Sequence, residues 1–272
     1  MVGLEADGVC DAGTWSALVE AGFTLGTRLV CLRSPMMRGD DVSELQLRLG
    51  ALGFDAGRVD GIFGPMTRAA VGDFQRNAGL VSDEVCGPET IASLRRLEGR
   101  GGNAPVTGVR ERERLRRRAG SSNKLRIAVG SVGASEPVIS SLAAELQLAG
   151  VSTLLLSDEW SAQAESTNGF GADVYVGLTV SESPIVETNY FSVPGYESAG
   201  GRHLAQLILR ELPAAPGWTI GVATGKRHPI LRETRPPAVL IRLGDQQMLT
   251  TNQDLVVASL VRALDSWAAE PC

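Results

Sequence analysis

The sequence predicts a multidomain protein in which an all-α module of short helices precedes an α/β domain with a mostly parallel sheet. Three observations predict this fold class. The first hundred residues contain an internal repeat, residues 110–118 read RERERLRRR, and apolar strands alternate with helices from residue 125 onward. Strands that alternate with helices usually pair in parallel and are covered on both faces. A chain of 272 residues is long enough to build two separate cores.

The repeat predicts the helical module. Residues 3–18, GLEADGVCDAGTWSAL, recur as GLVSDEVCGPETIASL at residues 79–94, and residues 60–71 carry the shorter echo DGIFGPMTRAAV. Each copy has a turn that begins with Asp, then an apolar residue, then a Thr that can satisfy free amides at the start of a helix. One apolar helical face upstream is formed by Val42, Leu45, Leu49 and Leu52. The pattern predicts a unit of helix, loop, helix, turn and helix.

Several motifs of this unit agree with one known family. They are GDDV at residues 39–42, LGF at 52–54, DGIFG at 60–64 and GL at 79–80. The unit resembles the peptidoglycan-binding domain family, a three-helix module, which implies a module at residues 36–97 and the last third of an earlier copy at residues 1–30. The binding candidates that the resemblance implies are Asp60, Gly61, Phe63, Gly64 and Thr67. The alternative is a helical spacer without a ligand, because the motif mainly builds the fold.

Residues 98–124 separate the module from the second domain and are rich in arginine and glycine. Such a composition buries little apolar surface, so we expect a solvated linker or a short charged helix. Docking to an acidic partner or to anionic lipid is less favoured, because Glu111 and Glu113 interrupt the positive charge. The formal net charge of -5 does not indicate a nucleic-acid-binding surface. No run of apolar residues is long enough to span a membrane.

In the second domain we expect strands at residues 125–129, 151–156, 172–180 and 238–243, a β-rich segment at 188–193, and helices at 142–149, 201–212 and 252–267. The phrases NGFGADV at residues 168–174, LRET at 231–234 and PAVLI at 237–241 stand in this order. With them, residues 125–270 resemble the zinc-dependent N-acetylmuramoyl-L-alanine amidase family. That family holds zinc with two histidines and a glutamate, and a further glutamate activates the bound water.

The residues that the resemblance places at the metal site differ from those the chemistry needs. Thr179 stands where the family has a histidine, and Arg242 stands where it has the catalytic glutamate. Glu136 is the only carboxylate near the position of the zinc glutamate, while His203 and His228 occupy no family ligand position. We therefore expect no metal, no cofactor and no intact catalytic residue. A rim with Arg242 could instead bind an anion, or Arg242 could pair with Asp245 or Glu136.

Peptidoglycan-binding repeats followed by such a domain resemble mycobacterial amidase-like regulators of peptidoglycan precursor synthesis. The resemblance implies a cytoplasmic regulator that contacts a protein partner, the enolpyruvyl transferase MurA, with peptidoglycan or its precursors as possible ligands. One alternative is an active zinc amidase that hydrolyses peptidoglycan, and a second is a passive cell-wall binding protein. The first nine residues lack the pattern of a secretory signal, which favours the cytoplasm. A signal encoded upstream would favour the cell wall or the extracellular space.

The four cysteines form no CxxC pair, which argues against a structural zinc site. Cys10 and Cys86 occupy equivalent repeat positions. We expect both to be free thiols buried in separate repeat cores, and a disulfide between them is the minority alternative.

Overall fold

The computed structural model describes residues 10, 12–97, 111–113, 115–116, 125–132, 136–213 and 218–271. The chain divides near residue 110 into two compact units. The first unit is helical and the second combines helices with one sheet, which confirms the predicted fold class. None of the described helices is long and apolar enough to cross a lipid bilayer.

The helical unit contains α1 (Ala12–Gly22), α2 (Asp40–Ala51), α3 (Pro65–Asn77) and α4 (Pro88–Arg96). Helices α3 and α4 each start with a proline directly after an extended glycine, where the missing amide hydrogen of proline costs no helical hydrogen bond. One apolar core joins α2, α3 and α4 through Val42, Leu45, Leu49, Val71, Phe74, Ile91 and Leu94. Residues 3–9, which hold part of the first repeat copy, lie outside the described residues.

Cys86 lies in this core, as predicted, whereas Cys10 is exposed, so the prediction of a buried Cys10 was wrong. Both thiols are free. The difference follows the packing of the two copies: Leu94 of α4 is buried, and its counterpart Leu18 of α1 is exposed. Position in the repeat alone therefore did not determine burial.

Among the described residues, the α/β unit contains a seven-stranded sheet packed against helices, the longest of which has 17 residues. Its strands are β1 (Arg126–Ser131), β2 (Ser152–Leu156), β3 (Val174–Val180), β4 (Ile185–Val193), β5 (Tyr196–Glu197), β6 (Thr219–Lys226) and β7 (Ala238–Leu243). Its helices are α5 (Glu136–Leu148), α6 (Trp160–Phe170), α7 (Ala199–Glu211), α8 (Pro229–Glu233), α9 (Gln246–Thr251) and α10 (Gln253–Ala269).

The strand order is β2-β1-β3-β7-β4-β5, and β6 pairs with β4 off this path. Strands β2, β1, β3 and β7 run parallel to one another, β4 is antiparallel to β7, and β6 is parallel to β4. The sheet is therefore mostly parallel, as predicted. The carboxyl ends of β1, β3 and β7 meet at one edge, which is where open α/β sheets place their ligands.

Helices cover both faces of the sheet. On one face, a single core joins Val176 of β3 with Leu142 of α5, Leu204 of α7 and Leu260 of α10. Tyr175, the neighbour of Val176 along β3, points to the opposite face, where its hydroxyl bonds Gln163 of α6. Helices α6 and α8 lie together on that face, and the Asn168 side chain donates to the Glu233 carbonyl.

Five elements of the α/β unit were not predicted: α6 and β6, which are the longest of them, and the shorter β5, α8 and α9. Helix α6 is polar along most of its length and carries Gly169, so its sequence gives little helical periodicity. Strand β6 contains Gly221 and Gly225, which lower the strand signal. Tertiary packing therefore determines both segments.

Part of the expected linker is helical, which was one of the two alternatives for it, but it is not fully solvated. Residues 111–113 and 115–116 are helical, and Leu115 is only 5% exposed within the core of the α/β unit. The Glu111 carboxylate accepts hydrogen bonds from the Ser198 hydroxyl and from the Ala199 and Gly200 amides at the start of α7. This part of residues 98–124 belongs to the α/β unit, because its one leucine reaches an apolar pocket and one glutamate caps a helix.

Candidate functional site

The candidate site lies at the carboxyl edge of the sheet, where three neighbouring strands bring polar side chains into one row. Thr179 near the end of β3 is in register with Arg242 of β7, and Arg242 is in register with Glu187 of β4. Residues paired in register project from the same face of a sheet. We call Thr179, Arg242 and Glu187 the rim; it lies on the face that α6 and α8 cover.

Arg242 and Glu187 form an ion pair across the β7–β4 ladder, through Nη2 and Oε2. Their side chains are 29% and 24% exposed, so the pair is accessible to solvent without being fully hydrated. The Arg242 Nε is buried and has no hydrogen-bond acceptor among the described residues. The guanidinium is therefore fixed by its carboxylate partner and by the surrounding packing.

The predicted partners of Arg242 were wrong. Asp245 instead accepts a hydrogen bond from the Met248 amide and caps α9, at 2.8 Å. Glu136 is an exposed residue in the first turn of α5. The actual partner, Glu187, lies in a strand whose antiparallel pairing with β7 had not been predicted, so its proximity to Arg242 was not foreseeable from the chain order.

Beneath Thr179 the face of the sheet is filled by a buried polar pair that sequence reasoning missed. The Tyr175 hydroxyl donates to Gln163 Oε1 at 2.7 Å, and Gln163 Nε2 donates to the carbonyls of Ser131 and Asp158 at 2.9 and 2.6 Å. Burial raises the pKa of Tyr175. Gly130 makes room for the pair, since a Cβ there would lie 1.9 Å from Gln163 Oε1. The volume below the rim is therefore occupied by protein.

Among the described residues, the Thr179 hydroxyl makes only a long contact, 3.5 Å, with the Val180 carbonyl. Thr179 is half-buried. A hydroxyl both donates and accepts hydrogen bonds, but it is a poor zinc ligand compared with imidazole. The rim thus offers one hydroxyl, one guanidinium and one carboxylate that is already paired.

The two histidines lie in different parts of the α/β unit. His203 belongs to α7, on the face of the sheet opposite to the rim. His228 precedes α8 and makes an edge-to-face contact with Trp160, with ring centroids 5.4 Å apart. Burial, followed by the nearby charges of Lys226 and Arg232, lowers the pKa of His228 to about 4. Within the residues that the structure describes, no group of three His, Cys, Asp or Glu side chains is placed to hold a metal ion.

The residues singled out in the module for binding are mostly interior. Phe63 is fully buried in the apolar core, and Gly61 is buried with a φ of 72°. Gln46 Nε2 donates to Asp60 Oδ1 and Thr67 Oγ1 at 2.9 and 3.1 Å, and Gln46 Oε1 accepts from the Gly61 amide. Burial raises the pKa of Asp60. These side chains hold the loop between α2 and α3, whereas half-buried Gly64 begins α3.

The same arrangement recurs one helix later. Gln75 Nε2 donates to Asp83 Oδ1 at 2.7 Å and to Thr90 Oγ1 at 3.0 Å, and Gln75 Oε1 accepts from the Glu84 amide. Glu84 has a φ of 61°, matching the left-handed conformation of Gly61. The repeat seen in the sequence is therefore a repeated glutamine clamp on an Asp-containing loop, and α3 takes part in both copies.

Comparison with known proteins identifies the class of the helical module and the family of the chain. Residues 38–94 match the family described as "Putative peptidoglycan binding domain". The N-acetylmuramoyl-L-alanine amidase CwlM of Mycobacterium tuberculosis is 30% identical over 96% of this chain and 74% of its own length. The chain therefore belongs to the CwlM-like family of N-acetylmuramoyl-L-alanine amidase homologues that carry a peptidoglycan-binding domain.

Other relatives match shorter parts. The amidase CwlL of Bacillus licheniformis is 32% identical over 35% of this chain and 32% of its own length. A spore cortex-lytic enzyme of Bacillus cereus is 48% identical over 21% of this chain and 22% of its own length. Among solved structures, an N-acetylmuramoyl-L-alanine amidase from Clostridium difficile is 16% identical, covers 54% of this chain and 98% of its own, and has a TM-score of 0.47.

Proposed function

We propose that the α/β unit is an amidase-type domain that binds a partner or ligand without hydrolysing peptidoglycan. The observation that carries this proposal is the Arg242–Glu187 ion pair at the rim. By family resemblance, Arg242 stands where a glutamate would accept a proton from zinc-bound water. A guanidinium stays protonated at all physiological pH values and has no acceptor, so it cannot take that role.

The residues of the rim do not fit zinc. A divalent cation close to Arg242 would be repelled by the guanidinium charge, and the Glu187 carboxylate is already paired with it. Thr179 offers a neutral hydroxyl where the family has imidazole. We therefore derive no catalytic step through a metal.

The first experiment measures metal content and hydrolysis on the full chain. We expect elemental analysis of protein purified with added zinc to find far less than one zinc per chain, and muropeptide substrates to stay intact. About one zinc per chain, together with amide cleavage that a chelator abolishes, would establish the active-amidase alternative instead.

We further propose that the protein regulates peptidoglycan synthesis in the cytoplasm, with its helical module contacting peptidoglycan or its precursors. The family membership and the match of residues 38–94 support a role in peptidoglycan metabolism. By resemblance, the partner is the enolpyruvyl transferase MurA. The passive cell-wall binder is the competing function, and it requires binding to cell-wall peptidoglycan without any effect on the transferase.

The partner is tested by titrating purified MurA into the full chain and measuring binding by calorimetry and transferase activity. We expect saturable binding that changes the activity, and loss of binding in Arg242→Gln and Arg242→Glu variants that keep the native circular dichroism spectrum. Unchanged binding in both variants would move the contact away from the rim. Absence of any binding, with retention on insoluble peptidoglycan, would favour the passive binder.

A further inference from the structure

Glu187 does more at the rim than fill space beside Arg242. The pair has no formal net charge, and its two side chains are about equally accessible, at 24% and 29%. An anion that approached Arg242 would have to displace a carboxylate that is already in place. Glu187 belongs to the same chain and loses no translational entropy when it pairs with Arg242, whereas a free anion does lose it on binding.

The backbone fixes Glu187 in this position from both sides. Towards β7, the register from Glu187 to Tyr190 is regular. Towards β6, the register shifts between Val186 and Thr188, so that Gly221 and Val222 both lie opposite Glu187. A Cβ on Gly221 would come within 3.1 Å of the Glu187 Cγ and 3.0 Å of the Val186 carbonyl, so glycine lets β6 approach the strand here.

The surroundings of the pair add neutral and apolar groups. Within the part of the chain that the structure describes, the Thr179 hydroxyl makes only its long contact to Val180, and Val222 is 67% exposed beside Glu187. Ile185, two residues before Glu187, is also exposed. Nothing on these neighbouring strand positions adds a second positive charge to the rim.

We propose that Glu187 is the specificity-determining residue of the rim: it closes Arg242 to anionic ligands, so that whatever binds there meets Arg242 with neutral polar groups. This inference rests on the proposed binding function, and it argues against anion binding, one of the two roles that the sequence left open for Arg242. Its physical basis is competition between an intramolecular carboxylate and an external anion for one guanidinium.

The test compares phosphate binding in the wild type and in Glu187→Gln, using inorganic phosphate as the probe and the Arg242 Nε–H signal in NMR spectra as the readout. In the wild type we expect no saturable shift at millimolar phosphate. In Glu187→Gln we expect binding at least about tenfold tighter, weakened by sodium chloride because ionic strength screens the attraction. The gain should vanish in the double variant Glu187→Gln with Arg242→Gln.

Glu197→Gln is the matched control, since Glu197 forms an ion pair with Arg202 at an exposed place on the same unit. It should leave the Arg242 signal unchanged. Equal phosphate binding in the wild type and in Glu187→Gln would overturn the inference, and so would an equal gain in the Glu197→Gln control. Should Glu187→Gln not fold, Glu187→Thr provides a strand-compatible replacement without charge. Zinc-dependent hydrolysis would defeat the proposed function, whereas lack of a phosphate gain alone would defeat only the role of Glu187.

Discussion

Individual residues in the helical unit differ in chemical reactivity because the repeat copies pack differently. Cys86 is buried beside other apolar side chains, and burial raises the pKa of its thiol to about 12. Cys10 is exposed. Since the thiolate is the reactive form, both the burial of Cys86 and its raised pKa make this thiol unreactive.

We expect a thiol reagent such as DTNB to modify Cys10 rapidly at neutral pH and Cys86 only after unfolding in denaturant. The measurement is mass mapping of labelled peptides over time, with Cys10→Ser as the control that removes the fast phase. Labelling of Cys86 at the rate of Cys10 in the native protein would contradict the burial described above.

His228 gives the α/β unit a predictable response to acid. Its folded pKa of about 4 is below the value of about 6.5 in an unfolded chain. The unfolded state therefore binds more protons between these values, so stability is full above pH 6.5 and is lost as the pH falls towards 4. We expect a loss of up to about 3 kcal/mol across this window, because each unit of pKa difference corresponds to about 1.4 kcal/mol.

The check is urea unfolding at several pH values for the wild type and for His228→Phe, which keeps a ring next to Trp160. The variant should lose most of the slope between pH 4 and 6.5, whereas His203→Asn should retain it. An unchanged slope in His228→Phe would assign the acid response to other groups.

At the scale of elements, helix α6 depends on the absence of a side chain at Gly130 of β1. A Cβ there would lie 1.9 Å from Gln163 Oε1 and 2.4 Å from the Tyr175 hydroxyl. We expect Gly130→Ala to displace the buried pair and to lower the free energy of unfolding by about 1 to 3 kcal/mol or more.

Gly169 of α6 supplies the matched control, because a Cβ at that glycine meets nothing within 4 Å. Gly169→Ala should leave the α/β unit as stable as the wild type or stabilise it by up to about 1 kcal/mol, since alanine favours helix. Chemical denaturation of both variants gives the comparison, and equal stability of Gly130→Ala and wild type would show that α6 does not need the glycine.

The elements that could be predicted are those in which local pattern and burial agree. Strand β7 was predicted at its observed bounds, because a continuous apolar run fits a strand that is buried on both faces. The apolar runs of β3 and β7 also predicted that Thr179 and Arg242 lie near the ends of neighbouring strands, and the register of the two strands confirms this. Glu187 was missed because its role depends on the antiparallel placement of β4 next to β7, a long-range pairing that no local pattern encodes.

At the scale of the whole molecule, the residues that follow the helical unit contribute directly to the core of the α/β unit. Leu115 is 5% exposed and packs next to Gly200 and Pro237. Gly200 lies in the first turn of α7, the helix whose start is capped by the Glu111 carboxylate. An unfolded linker would leave this apolar surface and the start of α7 open to water.

We expect Leu115→Ala to destabilise the α/β unit by about 2 to 4 kcal/mol, because it removes a buried side chain and leaves a cavity. Leu148→Ala, at a position that is 84% exposed, should change stability by less than about 0.5 kcal/mol. Thermal unfolding followed by near-ultraviolet circular dichroism distinguishes the two, and similar midpoints for both variants would assign Leu115 to a dispensable surface.

The ion pair at the rim also restricts which substitutions position 242 can accept. Arg242 and Glu187 depend on each other, so a glutamate placed at position 242 alone would set two carboxylates opposite each other on adjacent strands. Like charges in that arrangement destabilise a sheet. A single substitution that brought a carboxylate to position 242 would therefore weaken the sheet unless Glu187 changed as well.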